Sequence, residues 1–177
     1  MPFPELPAPL AASLSARGYA EPTPVQAAVT EDRANGRDLL VSAQTGSGKT
    51  VAYGLALHGE LLNEAGALPE AGEPLALVVA PTRELALQVQ RELEWLYAEV
   101  GAQVVTCVGG MDPRSERRRL ERGAHIVVGT PGRLRDHLER GALLIGALRA
   151  LVLDEADEML NLGFREDLEF ILEATPS

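Results

Sequence analysis

The run from Ser42 to Thr50, SAQTGSGKT, constrains the fold of this chain more than any other stretch. It follows a short, largely apolar run over residues 38–41 and precedes a helix-permissive run over residues 51–62. A strand, a glycine-rich turn and a helix N-terminus in this order gather backbone N–H groups into a nest that suits phosphate. Gly46 and Gly48 let the backbone approach an anion without a Cβ in the way. The pattern predicts a phosphate-binding turn, with a chance glycine turn as the alternative.

Two side chains at the end of this turn suit a bound polyphosphate. Lys49 can reach the outer phosphates, and the Thr50 hydroxyl is placed to bind a magnesium ion. Lys49 is also the only lysine among 16 basic residues. A compact ammonium cannot be replaced by a planar guanidinium where phosphates pack tightly. One departure from the generic pattern is its first position, which is normally Gly and is Ala43 here.

The composition predicts one soluble globular domain in a reducing, cytoplasmic setting. The chain has 177 residues, of which 46% are hydrophobic and 24% charged. No apolar run approaches the roughly 20 residues that span a bilayer, and no basic region precedes an apolar stretch at the N-terminus, so we expect neither membrane contact nor secretion. The single cysteine, Cys107, lies in an apolar run and is interpreted as core rather than as a nucleophile. The three histidines lack metal-ligand spacing.

The net charge of −10 repels nucleic acid, but the charge is distributed unevenly. Between residues 112 and 135 seven arginines face three acids, whereas eight acids and one arginine lie from residue 154 to the end. Four of these arginines share one face of a predicted helix: Arg114, Arg117, Arg118 and Arg122. A solvated charged face and a role in binding an RNA backbone are equally consistent with this pattern.

Apolar runs that alternate with helical patterns predict a parallel α/β sheet with helices on both faces. The run over residues 75–80 is apolar on both faces, as expected of a strand that helices cover on both sides. The other predicted strands are 38–41, 103–108, 124–129 and 150–153. The predicted helices are 5–19, 51–62, one capped by Thr82, a basic one capped by Asp112, one that Thr130-Pro131 caps and that runs to Glu139, and 158–174 with a break at Gly163. Residues 63–74 predict a solvated loop.

Ligands of parallel sheets bind beyond the carboxyl ends of the strands. The chain places polar and glycine residues there: Thr82, Arg83, Gly109, Gly110, Thr130, Pro131, Asp154 and Glu155. Asp154 can hold magnesium through its waters, and Glu155 can orient or deprotonate the attacking water in nucleotide hydrolysis. The alternative is that these acids only mark the start of a helix, where they complement its dipole.

The N-termini of the predicted helices at this edge also suit the backbone of a single nucleic-acid strand. Thr82 and Thr130 each begin a predicted helix whose free N–H groups can bind a phosphate. Arg83 and Arg133 follow these residues closely and add positive charge. Aromatic residues make up only 4% of the chain, which is too few for a base-stacking platform. We therefore expect backbone recognition without sequence readout.

Taken together, these motifs resemble the first RecA-like domain of DEAD-box RNA helicases, of superfamily 2, over nearly the whole chain. The matching stretches follow the family order: Gly18-Tyr19 with Pro22–Gln26 (the Q motif), 43–50, 81–86, 109–110, 130–133 and 154–157. The family's phosphate loop begins with Ala, which accounts for Ala43. The resemblance implies a Q-motif segment over residues 1–30 and a RecA-like P-loop domain over residues 31–177.

The resemblance implies an ATP-dependent RNA helicase that locally unwinds duplex RNA. Gln26, which spacing alone favours as a capping-box partner of Thr23, would contact adenine, with Tyr19 or Phe3 near the base. The implied ATP-binding residues are Tyr19, Gln26, Gln44, Thr45, Gly46, Ser47, Gly48, Lys49, Thr50 and Asp157. The implied catalytic residues are Lys49, Asp154 and Glu155, with Mg²⁺ at Thr50 and Asp154. The implied RNA-binding residues are Thr82, Arg83, Gly109, Gly110, Thr130 and Arg133.

The chain stops before the family's Ser-Ala-Thr motif and its second RecA-like domain, which carries the arginine fingers. Because an arginine finger contributes roughly 10³–10⁵ in rate, we expect negligible hydrolysis, no unwinding and weak RNA affinity from this chain alone. The strand that carries the missing motif lies beside the Asp154 strand in the family, so its absence would leave backbone unpaired. Two other functions stay open: a nucleotide-gated RNA-binding module that never catalyses, and a different P-loop enzyme such as a small-molecule kinase.

Overall fold

Strands and helices alternate along the chain, as the sequence pattern predicts. The structure is a computed structural model that describes residues 8–16, 49–63 and 66–176. Its strands are β1 (Ala76–Val79), β2 (Val104–Cys107), β3 (Ile126–Gly129) and β4 (Ala150–Leu153). Its helices are α1 (Ala8–Ala16), α2 (Lys49–Ala56), α3 (His58–Leu61), α4 (Arg83–Leu96), α5 (Pro113–Arg122), α6 (Pro131–Glu139), α7 (Ala156–Asn161) and α8 (Arg165–Ala174), and a 3₁₀ turn over Ala98–Val100 follows α4.

The four described strands form one parallel sheet in the order β2–β3–β1–β4. Val79 lies opposite both Gly129 and Leu153, and Cys107 lies opposite Gly129, so the strands end level at one edge. Parallel neighbours need crossover connections, which the helices supply. The predicted parallel α/β fold is therefore confirmed. The predicted strand over residues 38–41 lies outside the described residues, and the expectation of unpaired backbone beside β4 stays a prediction.

Two apolar clusters cover the two faces of this sheet. Val78 of β1 packs into a cluster with α1, α2 and α4, whereas its neighbour Leu77 packs into a cluster with α6, α7 and α8. Successive side chains of a strand point to opposite faces, so one short strand contributes side chains to both clusters. Every residue of β1 is buried, as predicted for a strand covered on both sides. Cys107 is buried in the second cluster and so belongs to the core as predicted, and Trp95 packs at the margin of the first.

The predicted helices are confirmed with changed bounds. The described helix α1 falls within the predicted residues 5–19, and a turn at Leu57 divides the helix predicted over 51–62 into α2 and α3. Gly163, with a φ of 88°, separates α7 from α8 at the predicted break. Residues 66–74 form the predicted loop. No helix among the described residues has both the length and the apolar character needed to cross a membrane.

Three helices at the carboxyl edge begin at residues predicted to cap them, with different outcomes. Thr82 accepts a hydrogen bond of 3.2 Å from the Leu85 amide, and Asp112 accepts one of 3.1 Å from the Arg114 amide. These bonds satisfy amides that have no partner within their helix. Thr130 begins α6, but its side chain makes no capping hydrogen bond within the described chain. The prediction of a side-chain cap is therefore wrong for Thr130.

Candidate functional site

The residues that follow the four strands meet at one edge of the sheet. Because the strands end level, the loops after β1, β2, β3 and β4 lie side by side in the order of the sheet. The loop after β4 therefore lies at one end of this edge and the loop after β2 at the other. The described edge contains these predicted site residues: Thr82, Arg83, Gly109, Gly110, Thr130, Arg133, Asp154, Glu155 and Asp157.

Asp154 is fixed in place at the end of β4. Its amide donates a hydrogen bond of 2.8 Å to the Val79 carbonyl, and its side chain is fully buried. The Tyr53 hydroxyl of α2 donates a hydrogen bond of 2.9 Å to Asp154 Oδ2, and the Thr50 side chain also hydrogen-bonds to this hydroxyl. The structure thus brings together Thr50 and Asp154, the two residues predicted to hold magnesium. Hydroxyl and carboxylate oxygens are ligands that Mg²⁺ accepts in proteins.

Tyr53 is the residue of this half of the site that sequence reasoning missed. It lies three residues after Thr50, which places the two side chains on one face of α2. This spacing could have linked Tyr53 to Thr50, but it could not reveal the contact with Asp154 on another element. Burial raises the pKa of the Tyr53 phenol well above its usual value, and the charge of Asp154 raises it further. The phenol therefore stays protonated and acts as a hydrogen-bond donor to Asp154.

Glu155 has a strained backbone between β4 and α7. Its φ of 53° and ψ of 53° lie in the left-handed region, and it is the only non-glycine residue with a positive φ in the described chain. This conformation costs roughly 1–2 kcal/mol for an L-residue with a Cβ. Asp157 lies in the first turn of α7, where a carboxylate complements the helix dipole. A simple helix start accounts for Asp157 but not for strain at Glu155, and strain of this kind clusters at functional sites.

The loops after β1 and β2 are in contact at the other end of the edge. Arg83 is exposed, and its Nη2 lies 3.5 Å from the sulfur of Met111. Gly110 has a φ of 83°, and a Cβ at this position would lie only 2.9 Å from Arg83 Nη1. Gly109 and Gly110 are both exposed. The structure therefore brings together Arg83 and the Gly109-Gly110 turn, which the sequence predicted to bind RNA.

Arg133 is less accessible than a free surface arginine. Its Nη1 donates a hydrogen bond of 2.8 Å to Glu116 Oε1 and one of 3.2 Å to the Met111 carbonyl. The side chain of Arg133 is only 14% exposed. Arg133 occupies the third position of α6, after Pro131 and Gly132, so its side chain returns over the helix N-terminus toward the edge.

Glu116 is the buried centre of a hydrogen-bond network that the sequence did not reveal. Its side chain is 3% exposed, and it also accepts hydrogen bonds of 2.8 Å from the Val108 amide and from His137 Nε2. Burial alone would raise the pKa of Glu116, but the hydrogen bonds from His137, Val108 and Arg133 together lower it below its usual value. Glu116 is therefore ionised, and an ionised carboxylate only accepts hydrogen bonds, so His137 Nε2 carries a proton.

Among the described residues, one group of three side chains brings its possible metal-ligand atoms within 4.8 Å of one another: Cys107, Glu116 and His137. Two observations argue against a metal there. The Arg133 guanidinium already compensates the charge of Glu116. Burial and the charge of Glu116 raise the pKa of the Cys107 thiol, so the thiolate that would bind a metal is disfavoured. We interpret the group as part of the network around Glu116.

Part of the predicted nucleotide site cannot be placed by this structure. Tyr19, Gln26 and the turn residues Gln44, Thr45, Gly46, Ser47 and Gly48 lie outside the described residues. Lys49 begins α2, but only its backbone is described. The parallel sheet, the helices on both faces and the loops gathered at the carboxyl edge define an α/β domain of the RecA-like type.

Comparison with known proteins identifies the family. The DEAD/DEAH box helicase family model matches residues 23–177. The ATP-dependent RNA helicase DeaD of Escherichia coli (strain K12) is 48% identical over 172 residues, which are 97% of this chain and 26% of that protein; DeaD of Klebsiella pneumoniae has the same identity and coverage. The crystal structure of a DEAD box protein from the hyperthermophile Methanococcus jannaschii matches with a TM-score of 0.86 and 34% identity, over 98% of this chain and 46% of that chain. The chain belongs to the DEAD/DEAH box helicase family.

The comparisons also show how much of its relatives' length this chain covers. It spans about a quarter of the length of the DeaD helicases and about half of the chain in the matching crystal structure. The resemblance seen in the motifs and the predicted RecA-like fold are both confirmed.

Proposed function

We propose that this chain is the ATP-binding and RNA-backbone-binding half of an ATP-dependent RNA helicase that locally unwinds duplex RNA. One observation carries the proposal. The pair Thr50 and Asp154, which meets at Tyr53, shares one sheet edge with the exposed pair Arg83 and Gly110. Related helicases carry the name ATP-dependent RNA helicase. The division into a Q-motif segment over residues 1–30 and a RecA-like domain over 31–177 is part of the proposal, as is a cytoplasmic location.

For nucleotide, the proposal assigns the triphosphate to the turn before α2. Backbone amides of residues 44–48 and the Lys49 ammonium would hold the phosphates, and Gln26 with Tyr19 would hold adenine. Thr50 and Asp154 would hold Mg²⁺, which neutralises phosphate charge when it is bound. The Tyr53 hydroxyl donates a hydrogen bond to the buried Asp154 carboxylate, which would keep the orientation of this ligand fixed. Glu155 would orient the attacking water and accept its proton.

For RNA, the proposal assigns the sugar-phosphate backbone to the other end of the edge. Arg83, Gly109 and Gly110 are exposed there, and Thr82 and Thr130 begin the adjoining helices. Such contacts carry no sequence information, so binding would not depend on base sequence. The helix α6 would bend the bound strand, which prevents a duplex from continuing across the site.

The 177-residue chain by itself should bind nucleotide but hardly hydrolyse it. The family's arginine fingers lie on the second RecA-like domain and contribute roughly 10³–10⁵ in rate. The RNA affinity of these 177 residues alone should also be weak, because in the family the second RecA-like domain supplies part of the RNA-binding surface. Rapid steady-state ATP turnover by the 177-residue chain would contradict this expectation.

Calorimetric titration with Mg-ADP tests the proposal. We expect K49A and T50A to lose nucleotide binding, because they remove the phosphate and magnesium contacts. The matched control T175A, at the end of α8, should bind like the wild-type chain. Binding that survives both site variants would refute the proposal. Equal affinity for Mg-GDP, or full Mg-ADP affinity in Q26A, would instead favour a different P-loop enzyme, because Gln26 is proposed to select adenine.

A further inference from the structure

Glu116 joins the ends of two neighbouring strands through their following helices. It lies on α5, which follows β2, and accepts a hydrogen bond from the Val108 amide at the end of β2. The same carboxylate accepts hydrogen bonds from Arg133 and His137, which lie one turn apart on α6 after β3. A buried carboxylate is costly unless it is paired and hydrogen-bonded, and these three donors meet that need.

Arg133 connects the buried Glu116 carboxylate to the Gly109-Gly110 turn. The Nη1 group that donates to Glu116 also donates to the carbonyl of Met111, the residue that directly follows Gly110. Arg133 thus holds the chain immediately after a glycine whose φ is 83°. Nη1 can donate to both acceptors at once because it carries two N–H groups.

Arg83 and Arg133 contact the same residue but differ in available charge. Arg83 reaches the Met111 sulfur, is exposed, and forms no salt bridge within the described part of the chain. Arg133 is mostly buried, and the Glu116 carboxylate compensates its charge at 2.8 Å. A phosphate would therefore attract Arg83 far more than Arg133.

We propose that Glu116 is a positioning residue that locks Arg133 onto the Met111 carbonyl, so that Arg133 shapes the Gly109-Gly110 turn instead of contacting phosphate. This inference rests on the proposed RNA-backbone binding and revises the role that the motif predicts for Arg133. The contacts to phosphate are then left to Arg83 and to the turn itself.

The salt dependence of RNA binding separates positioning from contact. Each phosphate contact on a single strand contributes about 0.7 to the slope of log affinity against log salt. We expect R83Q to reduce this slope by about 0.7. R133K should weaken binding of a short single-stranded RNA about tenfold at unchanged slope, because lysine keeps the charge but is one atom shorter. Its nitrogen then falls short of the two acceptors that Nη1 reaches, and the turn is binding-competent only about a tenth of the time. R91K, on the exposed face of α4, is the matched control and should bind like the wild-type chain.

E116Q tests whether Glu116 acts through Arg133. Its amide cannot accept from all three donors, because its NH₂ group would face one of them. We expect about the same tenfold loss as in R133K and no further loss in the E116Q/R133K double variant. The amide resonances of Gly109 and Gly110 should shift in both single variants without RNA, and thermal unfolding should confirm that R133K is folded. If E116Q fails to fold, R133K and the amide resonances still decide the question.

The outcomes distinguish this inference from the proposed function. If the wild-type chain shows no salt-sensitive RNA binding, the proposed function is wrong and the inference fails with it. If the wild-type chain binds and R133K binds equally well, only the inference is overturned. A reduced salt slope in R133Q, by about 0.7, would likewise overturn it and restore a direct phosphate contact.

Discussion

The hydroxyl of Tyr53 donates a hydrogen bond of 2.9 Å to Oδ2 of Asp154, across a separation of 101 residues in sequence. Tyr53 lies on the helix that follows the phosphate-loop motif, and Asp154 ends the edge strand of the described sheet. This bond ties together the two halves of the proposed magnesium site. It also leaves Asp154 with a defined orientation inside a fully buried position.

Replacing Tyr53 by Phe should lower both stability and magnesium-dependent nucleotide affinity. Y53F removes a donor to a buried carboxylate, which typically costs about 1–3 kcal/mol in the free energy of unfolding. Without this donor, the Asp154 carboxylate also loses a hydrogen bond that fixes its orientation. Urea unfolding and titration with nucleotide, with and without magnesium, measure the two effects.

The matched control is Y97F. The Tyr97 hydroxyl donates to the Gly54 carbonyl at 2.5 Å in the core between α2 and α4, away from Asp154. Y97F should lower stability without changing the magnesium dependence of nucleotide binding. Equal magnesium dependence in Y53F and Y97F would show that the Tyr53 bond is only structural.

Adding a methyl group to the two glycines after β2 should have unequal effects. G110A places a Cβ 2.9 Å from Arg83 Nη1 at a residue with a φ of 83°, so it should cost about 1–2 kcal/mol of stability and displace Arg83. G109A is the control, because a Cβ there meets no described atom within 4 Å. Thermal unfolding of both variants checks the prediction, and similar stabilities would contradict it.

Replacing Glu155 by Gly should stabilise the fold even though it removes a proposed catalytic residue. Glycine adopts the left-handed conformation at no steric cost, which relieves roughly 1–2 kcal/mol, less about 0.5–1 kcal/mol of extra chain entropy. D157G, in the helical backbone of α7, should instead destabilise by about 0.5–1 kcal/mol, because glycine is a poorer helix former and the carboxylate near the helix N-terminus is lost. The free energies of unfolding of the two variants, measured by chemical denaturation, should change in opposite directions relative to the wild-type chain. Destabilisation by E155G would show that contacts of the Glu155 side chain outweigh the strain.

The low pKa of Glu116 predicts how stability changes with pH. Because the folded-state pKa lies below the unfolded value, Glu116 stabilises the fold above the ordinary glutamate pKa of about 4.3, and this contribution is lost as pH falls through the folded value. The free energy of unfolding should therefore fall more steeply with acidification in the wild-type chain than in E116Q. E121Q, which alters an exposed i,i+4 pair with Arg117, should behave like the wild-type chain. Parallel curves for all three proteins would contradict the prediction.

Local sequence chemistry predicted much of the fold and the placement of the described candidate residues at one edge of the sheet. Thr82 and Asp112 cap their helices as their side chains suggest, and the four described strands fall at the apolar runs. Thr130 shows the limit of this reasoning, since a residue suited to capping begins a helix without supplying the bond. A cap depends on the direction of the side chain, which packing around the helix start decides.

The buried partners were beyond prediction from local patterns. Glu116 looked like one acid within a basic, solvated helix, yet it is 3% exposed and accepts hydrogen bonds from three residues of two other segments, Val108 after β2 and Arg133 and His137 of α6. The rest of the helix does present its arginines to solvent. A single inward position on a charged helix cannot be recognised until its neighbours in space are known.

The sequence by itself determined the described strands and helices, the side-chain caps at Thr82 and Asp112 and the order of the functional loops, because these depend on residues a few positions apart. Tertiary structure alone decided that Tyr53 would meet Asp154 and that Glu116 would meet Arg133, at separations of 101 and 17 residues. The contact between Glu116 and Arg133 follows from the parallel register of β2 and β3, which brings the strand ends level and the helices that follow them side by side. Tyr53 reaches Asp154 because α2 packs on one face of the sheet. No local propensity encodes that register, since it emerges only when both faces of the sheet are covered.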